Sequence, residues 1–470
     1  MVLTAGGIAA VTRGRIVQGD PESRIGPVSI DSRTLSSGDF FVAIRGDRFD
    51  GHRFVSEAVA RGAIGAMVAE VSAMPGALDA EPRRPAPIVI QVEDTTGGLQ
   101  DIARDVRRRS GSRVVAITGS AGKTTTKEVA AEFLATRHRV FRNKGNLNNH
   151  IGLPLSLLEL RARPDVAVVE LGMNHPGEIR TLVGIAEPEV RVWTNVGDAH
   201  LGFFESADAI GDAKAEILEA PRASDVLVAN ANDPRVMSRA HAFSGRLVTF
   251  GVDMPADVEA SRVEHRGLEG TAANVRTPVG EVWLETPLLG TGNLANVLAA
   301  IAVALQFDVP LEQISDGARS LRPAYHRGEL VRLPGGITVI DDSYNSSPSA
   351  LTRALETVAA ATGSARKAAV LGEMLELGAH AERLHQECGR AAAAAGLDLL
   401  VTVGGDAARA LSEAAIAAGM RRQSVWHTAT SDEAADVALR HIRPGDLVLV
   451  KGSRGIGTDR VVERLKVEFA

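Results

Sequence analysis

Between the β-branched run VVAIT (114–118) and the segment KEVAAEFLA (127–135) lies Gly119-Ser120-Ala121-Gly122-Lys123-Thr124-Thr125. A glycine-rich turn from strand to helix aims backbone N–H groups at a phosphate, and the helix start adds the positive end of its dipole. In such a turn Lys123 reaches the outer phosphates and Thr124 offers a hydroxyl to Mg²⁺. Ile117 stands where the longer phosphate loop has its first glycine, so the pattern is a shortened G-x-x-G-K-T-T. A chance match in an unrelated loop is the bland alternative, and the strand–turn–helix context argues against it.

Two more polar residues stand at the ends of buried-type strands. Glu170 closes VAVVE, and His200 follows VRVWTNV in the sequence GDAH. Ligands of open parallel sheets bind beyond the carboxyl ends of the strands, so the loop, Glu170 and His200 are expected on one rim. Glu170 is a hard oxygen ligand suited to Mg²⁺. His200 taken alone is as well explained as a structural histidine. Lys214 lies four residues after Ile210, three before Ile217 and four before Leu218. Those offsets put it on the apolar stripe of a helix. Either its stem packs on the core while the ammonium snorkels out, or the amine is desolvated and partly neutral. A neutral amine can take up carbon dioxide as a carbamate, a carboxylate-like group able to hold a metal.

Three polar clusters remain: NKGNLNNHIGLP (143–154), HRGE (326–329) and DDSYNSSP (341–348). Each alone would be a loop or a cap. With the phosphate loop they look like the lining of a cleft.

The elements that must carry these residues alternate between strand and helix. Residues 1–110 hold the strand-like PVSID, DFFVAI and IVIQV, a helix-like FVSEAVARGA, and a Pro-rich loop, EPRRPAP (81–87). The charged run DIARDVRRRS (101–110) is expected as an exposed helix. Residues 111–322 hold the phosphate loop and the strands DVAVVEL, VRVWTNV, DVLVAN and RLVTF, as in a parallel sheet covered on both faces. The stretch 258–288 looks antiparallel, and 293–307 is an apolar helix. Residues 323–470 repeat the alternation as a Rossmann-like sheet without a G-x-G-x-x-G turn, so no dinucleotide is expected there. The fold class is α/β in three domains.

Length fits this division: 470 residues correspond to about three domains of roughly 150. Apolar residues are 45% and charged residues 23%, which excludes disorder and coiled-coil rods. Lys+Arg total 52 against 58 Asp+Glu, so no basic excess marks a nucleic-acid binder. The single cysteine, Cys388, permits neither an intrachain disulfide nor a cysteine zinc cluster. The longest clean apolar run, Val297 to Leu305, is too short to span a bilayer, and MVLTAGGIAAV has no basic leader region. A soluble, cytoplasmic chain without a membrane partner is expected.

The order and content of several segments carry a resemblance. DSRTLSSGDFFVAIRGDRFDGHRF, ITGSAGKTTTKE, NKGNLNNHIGLPLSLL, VVELGMNHPGEI, NVGDAHLGFFES, AKAEI, NLANVLAAIAVA, HRGE, DDSYNSSPSA, VLGEMLELG and VKGSRG resemble, in that order, the Mur ligases along nearly the whole chain. The resemblance implies an N-terminal UDP-sugar-binding domain (1–110), a central ATPase domain (111–322) and a C-terminal Rossmann-like domain (323–470). It implies that ATP phosphorylates the terminal carboxylate of UDP-N-acetylmuramoyl-tripeptide and that the amine of D-alanyl-D-alanine displaces the phosphate. Carried over by position, Gly119 to Thr125 hold the phosphates, and Lys123, Lys214, His200 and Arg327 are the catalytic residues. Thr124, Glu170, His200 and carbamylated Lys214 hold Mg²⁺. Asn293 belongs to the adenine site, Asn296 is a further ATP-binding residue, Asp342 contacts the ribose, and Arg327 reaches toward the γ-phosphate. Asp31, Ser32 and Arg33 line the UDP site, and Asn146, Asn149 and His150 lie where the muramoyl substrate is held. Gly292 is a departure, since many relatives have histidine there. A monomer is expected. The relative that adds the third stem-peptide residue and an inactive P-loop scaffold are the rivals. No Asp-Asn-Pro-Arg motif of the diaminopimelate-reading relative occurs in the sequence, and the intact lysines argue against the scaffold.

Overall fold

Short β-branched runs bounded by Gly, Pro and Asp become strands, and the amphipathic stretches between them become helices. The computed structural model describes residues 1–46, 49–70, 86–199 and 201–469. They fall into two units, residues 1–116, 138–173 and 177–189 in one, and 117–137, 174–176 and 190–470 in the other. His200 and residues 81–85 of the Pro-rich stretch lie outside the described residues.

The first unit contains a five-stranded sheet in the order Arg15–Gln18, Ile88–Gln91, Gly65–Val68, Phe40–Val42, Val28–Ser29. Its first pair is antiparallel and the others are parallel. The strands Val140–Arg142 and Val166–Glu170 pair in parallel in the same unit. The helix Thr95–Ser110 starts on the side chain of Asp94, which accepts from the N–H groups of Thr96 and Gly97. It corrects the expectation of an exposed charged helix: Leu99, Ile102, Ala103 and Val106 are fully buried, and Arg107 is only 6% exposed. The Arg107 guanidinium donates to the carbonyls of Ala186 and Glu187, at 2.8 and 2.7 Å. It thereby satisfies open carbonyls at the end of the helix Glu178–Ala186. A run of arginines thus hides one that caps a neighbour, which charge counting alone does not separate from a solvated face.

The second unit contains two sheets. One runs Val190–Trp193, Val226–Asn230, Arg246–Val252, Val258–His265, Thr271–Thr277, Gly280–Thr286. Pairing is parallel up to Val258–His265 and antiparallel after it, so the antiparallel stretch expected at 258–288 begins with a strand that is still parallel to its predecessor. The helix Gly290–Leu305 covers this sheet, with Leu294 and Asn296 to Ala304 buried. The other sheet runs Glu329–Leu333, Ile337–Asp342, Asp446–Lys451, Arg366–Gly372, Leu399–Val403, Val425–Thr428. It is parallel except at its first pair. Its core joins Val339, Val370, Val401 and Val448 to Ala434, Val461 and Leu465 of the covering helices. Among the described residues no helix is long and apolar enough to cross a membrane.

Candidate active site

The phosphate loop is shaped by two glycines that nothing larger could replace. Gly119 has φ +150° and a Cβ there would lie 1.9 Å from Thr194 Oγ1; Gly122 has φ +84° and a Cβ would lie 2.2 Å from Asn296 Oδ1. Thr194 and Asn195, just after the strand Val190–Trp193, fix the turn. Thr194 Oγ1 donates to the Ala121 carbonyl at 2.7 Å, and the Ala121 N–H donates to Asn195 Oδ1 at 2.9 Å. Lys123 opens the helix Lys123–Ala135, and its Nζ donates to the Gly119 carbonyl at 2.8 Å. The ammonium therefore lies over the turn where a phosphate's outer oxygens would sit.

A cavity of about 700 Å³ opens from this loop within the second unit. Its wall includes Ala121, Gly122, Asn293, Asn296, Arg327 and Asp342. Asn296 is buried; its Oδ1 accepts from Thr126 Oγ1, and its Nδ2 donates to Asn293 Oδ1, both at 3.3 Å. Asn293 Nδ2 donates to the Leu289 carbonyl at 3.0 Å. The two carboxylates of the Asp-Asp pair part ways. Asp341 is fully buried and bonds His326 Nδ1 and the Ser343 hydroxyl, both at 2.6 Å. Asp342 faces the cavity. Arg327 lies over the Tyr344 ring at 4.4 Å, and its buried Nε has no hydrogen-bond partner among the described residues.

Sequence reasoning missed Lys451. It ends the strand Asp446–Lys451 in register with Asp342, and its Nζ donates to Asp342 Oδ2 at 2.6 Å and to the Asn345 carbonyl at 3.0 Å. Burial pulls its pKa down, while the Asp342 carboxylate opposes that shift. The signal was present in VKGSRG, a lysine closing an otherwise apolar strand.

The other expected residues are distributed as follows. Lys214 is 2% exposed near the end of the helix Ala207–Ala215, which passes into a 3-10 turn at Glu216–Leu218 instead of continuing. Buried Arg191 holds that turn through the carbonyls of Ile217 and Glu219, both at 2.6 Å. Its pKa is lowered by burial and supported by Asp225.

In the first unit, Glu170 is buried and accepts from Asn148 Nδ2 at 2.8 Å; its own N–H donates to Asn143 Oδ1 at 3.0 Å. The asparagine-rich segment thus orients Glu170 through Asn143 and Asn148, neither of which was singled out. Asn149 Oδ1 accepts from the N–H groups of Ile151 and Gly152, a helix-start role, while the His150 carbonyl accepts from Gln100. The Asn146 carbonyl accepts from the Asn148 N–H. Asp31 Oδ1 accepts from the N–H and Nε of Arg33, Asp31 Oδ2 from Nη2, and Ser32 between them is buried. The Arg33 hydrogen bonds pull the Asp31 carboxyl down to about 2.

A strand–turn–helix phosphate loop opening into a cavity shared with the end of a second parallel sheet defines a nucleotide-using α/β enzyme of two-sheet construction. Three family models match in succession: the Mur ligase family catalytic domain at residues 24–107, the Mur ligase middle domain at 117–304 and the Mur ligase glutamate ligase domain at 326–454. The UDP-N-acetylmuramoyl-tripeptide–D-alanyl-D-alanine ligase of Bacillus subtilis is 33% identical, over 98% of each chain. A crystal structure of MurF from Acinetobacter baumannii superposes with a TM-score of 0.88 at 31% identity, covering 99% of each chain. MurF ligase from Thermotoga maritima, in complex with ADP, gives 0.80 at 27%, over 94% of this chain and 97% of its own. The chain belongs to the Mur ligase family.

Proposed function

We propose that this ligase joins D-alanyl-D-alanine to UDP-N-acetylmuramoyl-tripeptide with consumption of ATP, giving the pentapeptide, ADP and phosphate for peptidoglycan synthesis. The observation that carries the reading is the phosphate loop opening into a cavity walled by Asn293, Arg327 and Asp342. Relatives of the same full length bear that activity in their names. The work is divided among residues 1–110 for the UDP-sugar, 111–322 for ATP and 323–470 for closing the site over it. The enzyme acts in the cytoplasm as a monomer.

A carboxylate is a poor electrophile until one oxygen becomes a good leaving group. A terminal carboxylate oxygen of the tripeptide attacks the γ-phosphorus, the bond to the β–γ bridging oxygen breaks, and ADP leaves. The dipeptide amine then adds to the acyl carbon, loses a proton, and expels phosphate as the amide forms. Gly119 to Thr125 cradle the phosphates, and the Lys123 ammonium moves from the Gly119 carbonyl to the transferred phosphoryl oxygens. Arg327 adds a second cation there. Asp342, held by Lys451, receives the ribose hydroxyls, Asn293 receives the base, and Asn296 lies between Asn293 and the phosphate loop. Asp31, Ser32 and Arg33 meet the UDP portion, and Asn146, Asn149 and His150 the muramoyl portion.

By donor type the Thr124 hydroxyl and the Glu170 carboxylate suit Mg²⁺, and the His200 imidazole, a less usual ligand of that ion, would join them. When bound, the ion neutralises charge that develops on the transferred phosphoryl group. Lys214 is buried, as a carbamate-forming lysine must be. The ammonium first gives up one proton; the neutral amine then adds to the carbon of CO2 and a second proton leaves to solvent, so that a cation is replaced by a carbamate anion suited to the metal.

An ADP-release assay tests the reading. Release should require both UDP-N-acetylmuramoyl-tripeptide and D-alanyl-D-alanine, with the pentapeptide seen by mass. Preferential use of diaminopimelate or another single amino acid would overturn it.

A further inference from the structure

The helix Pro348–Ala360 packs against the first turn of the helix Gly290–Leu305, where two glycines face it. A Cβ on Gly290 would lie 2.9 Å from Thr357 Oγ1, and one on Gly292 would lie 3.3 Å from both Cδ and Nε of Arg353. The space beside residue 292 is therefore filled by the stem of Arg353. Its guanidinium is accessible from the cavity, whose wall includes Arg353 together with Gly292 and Asn293. Among the described residues the Arg353 guanidinium makes neither a hydrogen bond nor an ion pair. Glu356 and Asp342 act on it only as nearby charges, and Asp342 is already engaged by Lys451.

Position along the long helix indicates which part of a ligand this cation meets. Asn296 touches the phosphate loop at Gly122 and bonds Asn293. Gly292 lies four residues before Asn296, about 6 Å along the axis at about 1.5 Å per residue. A ligand whose phosphates lie in the loop places its nucleoside, not its phosphates, one helical turn away. Arginine suits that place because its planar guanidinium stacks on aromatic rings, which a lysine ammonium does not.

We propose that Arg353 is a nucleotide-positioning residue whose guanidinium lies against the base of ATP, its stem occupying the space beside Gly292. The assignment rests on reading the cavity as the ATP site. It is tested by calorimetric titration of ADP, and separately of inorganic tripolyphosphate, into the full-length enzyme and the variants Arg353→Ala and Arg353→Lys. The parent should bind both ligands. Arg353→Ala should bind ADP about 10-fold more weakly, the scale of one desolvated cation–π contact, and tripolyphosphate as the parent does. Arg353→Lys should recover little of the loss. In turnover, KM for ATP should rise by the same factor, with kcat at saturating ATP within about threefold of the parent. Equal ADP affinity in parent and Arg353→Ala would overturn the assignment. So would an equal loss of tripolyphosphate affinity, which would make Arg353 a phosphate cation, or full rescue by lysine, which would make charge alone sufficient. A parent enzyme that binds no ADP would instead refute the ATP reading of the cavity itself.

Discussion

Two glycine turns lead from a buried parallel strand into a helix in the second unit, and their N–H groups meet opposite surroundings. At Gly119–Gly122 the Ala121 N–H meets the neutral amide oxygen of Asn195, and the Lys123 ammonium lies over the turn. At Gly404–Gly405, before the helix Asp406–Ala417, the Gly405 N–H donates to Glu373 Oε2 at 2.5 Å. A Cβ on Gly404 would lie 2.5 Å from that same oxygen, so the glycine makes room for the protein's own carboxylate. Asp406 adds a second negative charge in the first helical turn. Both turns supply backbone donors and a positive dipole end. At the first the engaged partner is a neutral amide beside a lysine, so the positive field remains for an incoming anion, whereas at the second the chain has already provided the anion. Topology creates the opportunity for phosphate binding, and the side chain that reaches the turn decides whether it is used.

Removing the cation of the first turn should have the largest effect. Lys123→Ala keeps the backbone cradle but loses the charge at the transferred phosphoryl group, so turnover should fall at least about 10²-fold while far-UV dichroism and Tm hold. Near-normal turnover would erase the distinction between the two turns.

The next effect concerns an anion the chain would make for itself at the first site. Lys214→Ala should lose most activity, with acetate restoring part of it by filling the vacated space. Lys214→Arg, which keeps a cation and cannot form a carbamate, should also stay at least about 10-fold below the parent. Parent-level activity in Lys214→Arg would leave Lys214 a buried structural cation.

A smaller effect is expected at the second turn. Glu373→Ala leaves the Gly405 N–H to water and should cost about 1 kcal/mol or less in urea unfolding. The variant should still bind one equivalent of ADP, since no lysine follows this turn as Lys123 follows the first. A second equivalent would show that the carboxylate alone keeps the turn closed.

The smallest effect concerns the same device in the first unit, where Asp31 is engaged by the Arg33 N–H and guanidinium. Its carboxyl is lowered from the ordinary 3.8 to about 2, chiefly by the Arg33 side chain. A depressed folded pKa contributes stability above the unfolded value and loses it as pH falls through the folded one. Unfolding curves of parent and Asp31→Asn should therefore differ modestly at pH 5 to 7 and converge between about pH 4 and 2, the pair being exposed. A gap that persists at pH 2 would assign the effect to something other than this charge.

Much of the chemistry was legible in the residues themselves. The strand–turn–helix around Lys123 follows from a β-branched run, two glycines and an amphipathic continuation, all local in sequence. Burial of Lys214 follows from its spacing to Ile210, although its helix ends at Ala215 because buried Arg191 draws in the carbonyls of the next turn. The parallel sheets follow from short apolar strands alternating with helices.

What only the tertiary structure decided are contacts between residues far apart in the chain. Nothing local distinguishes Asp341 from Asp342; the first turns inward to His326 and the second meets Lys451, 109 positions later. Arg107 looks like its charged neighbours until the open carbonyls of Ala186 and Glu187 come within reach. The Gly404–Gly405 turn looks open until Glu373, from a neighbouring strand end, fills it. Helix and strand periodicity is written within a few residues, so sequence determines it. Whether a buried polar group is satisfied, and by which partner, depends on packing across the fold.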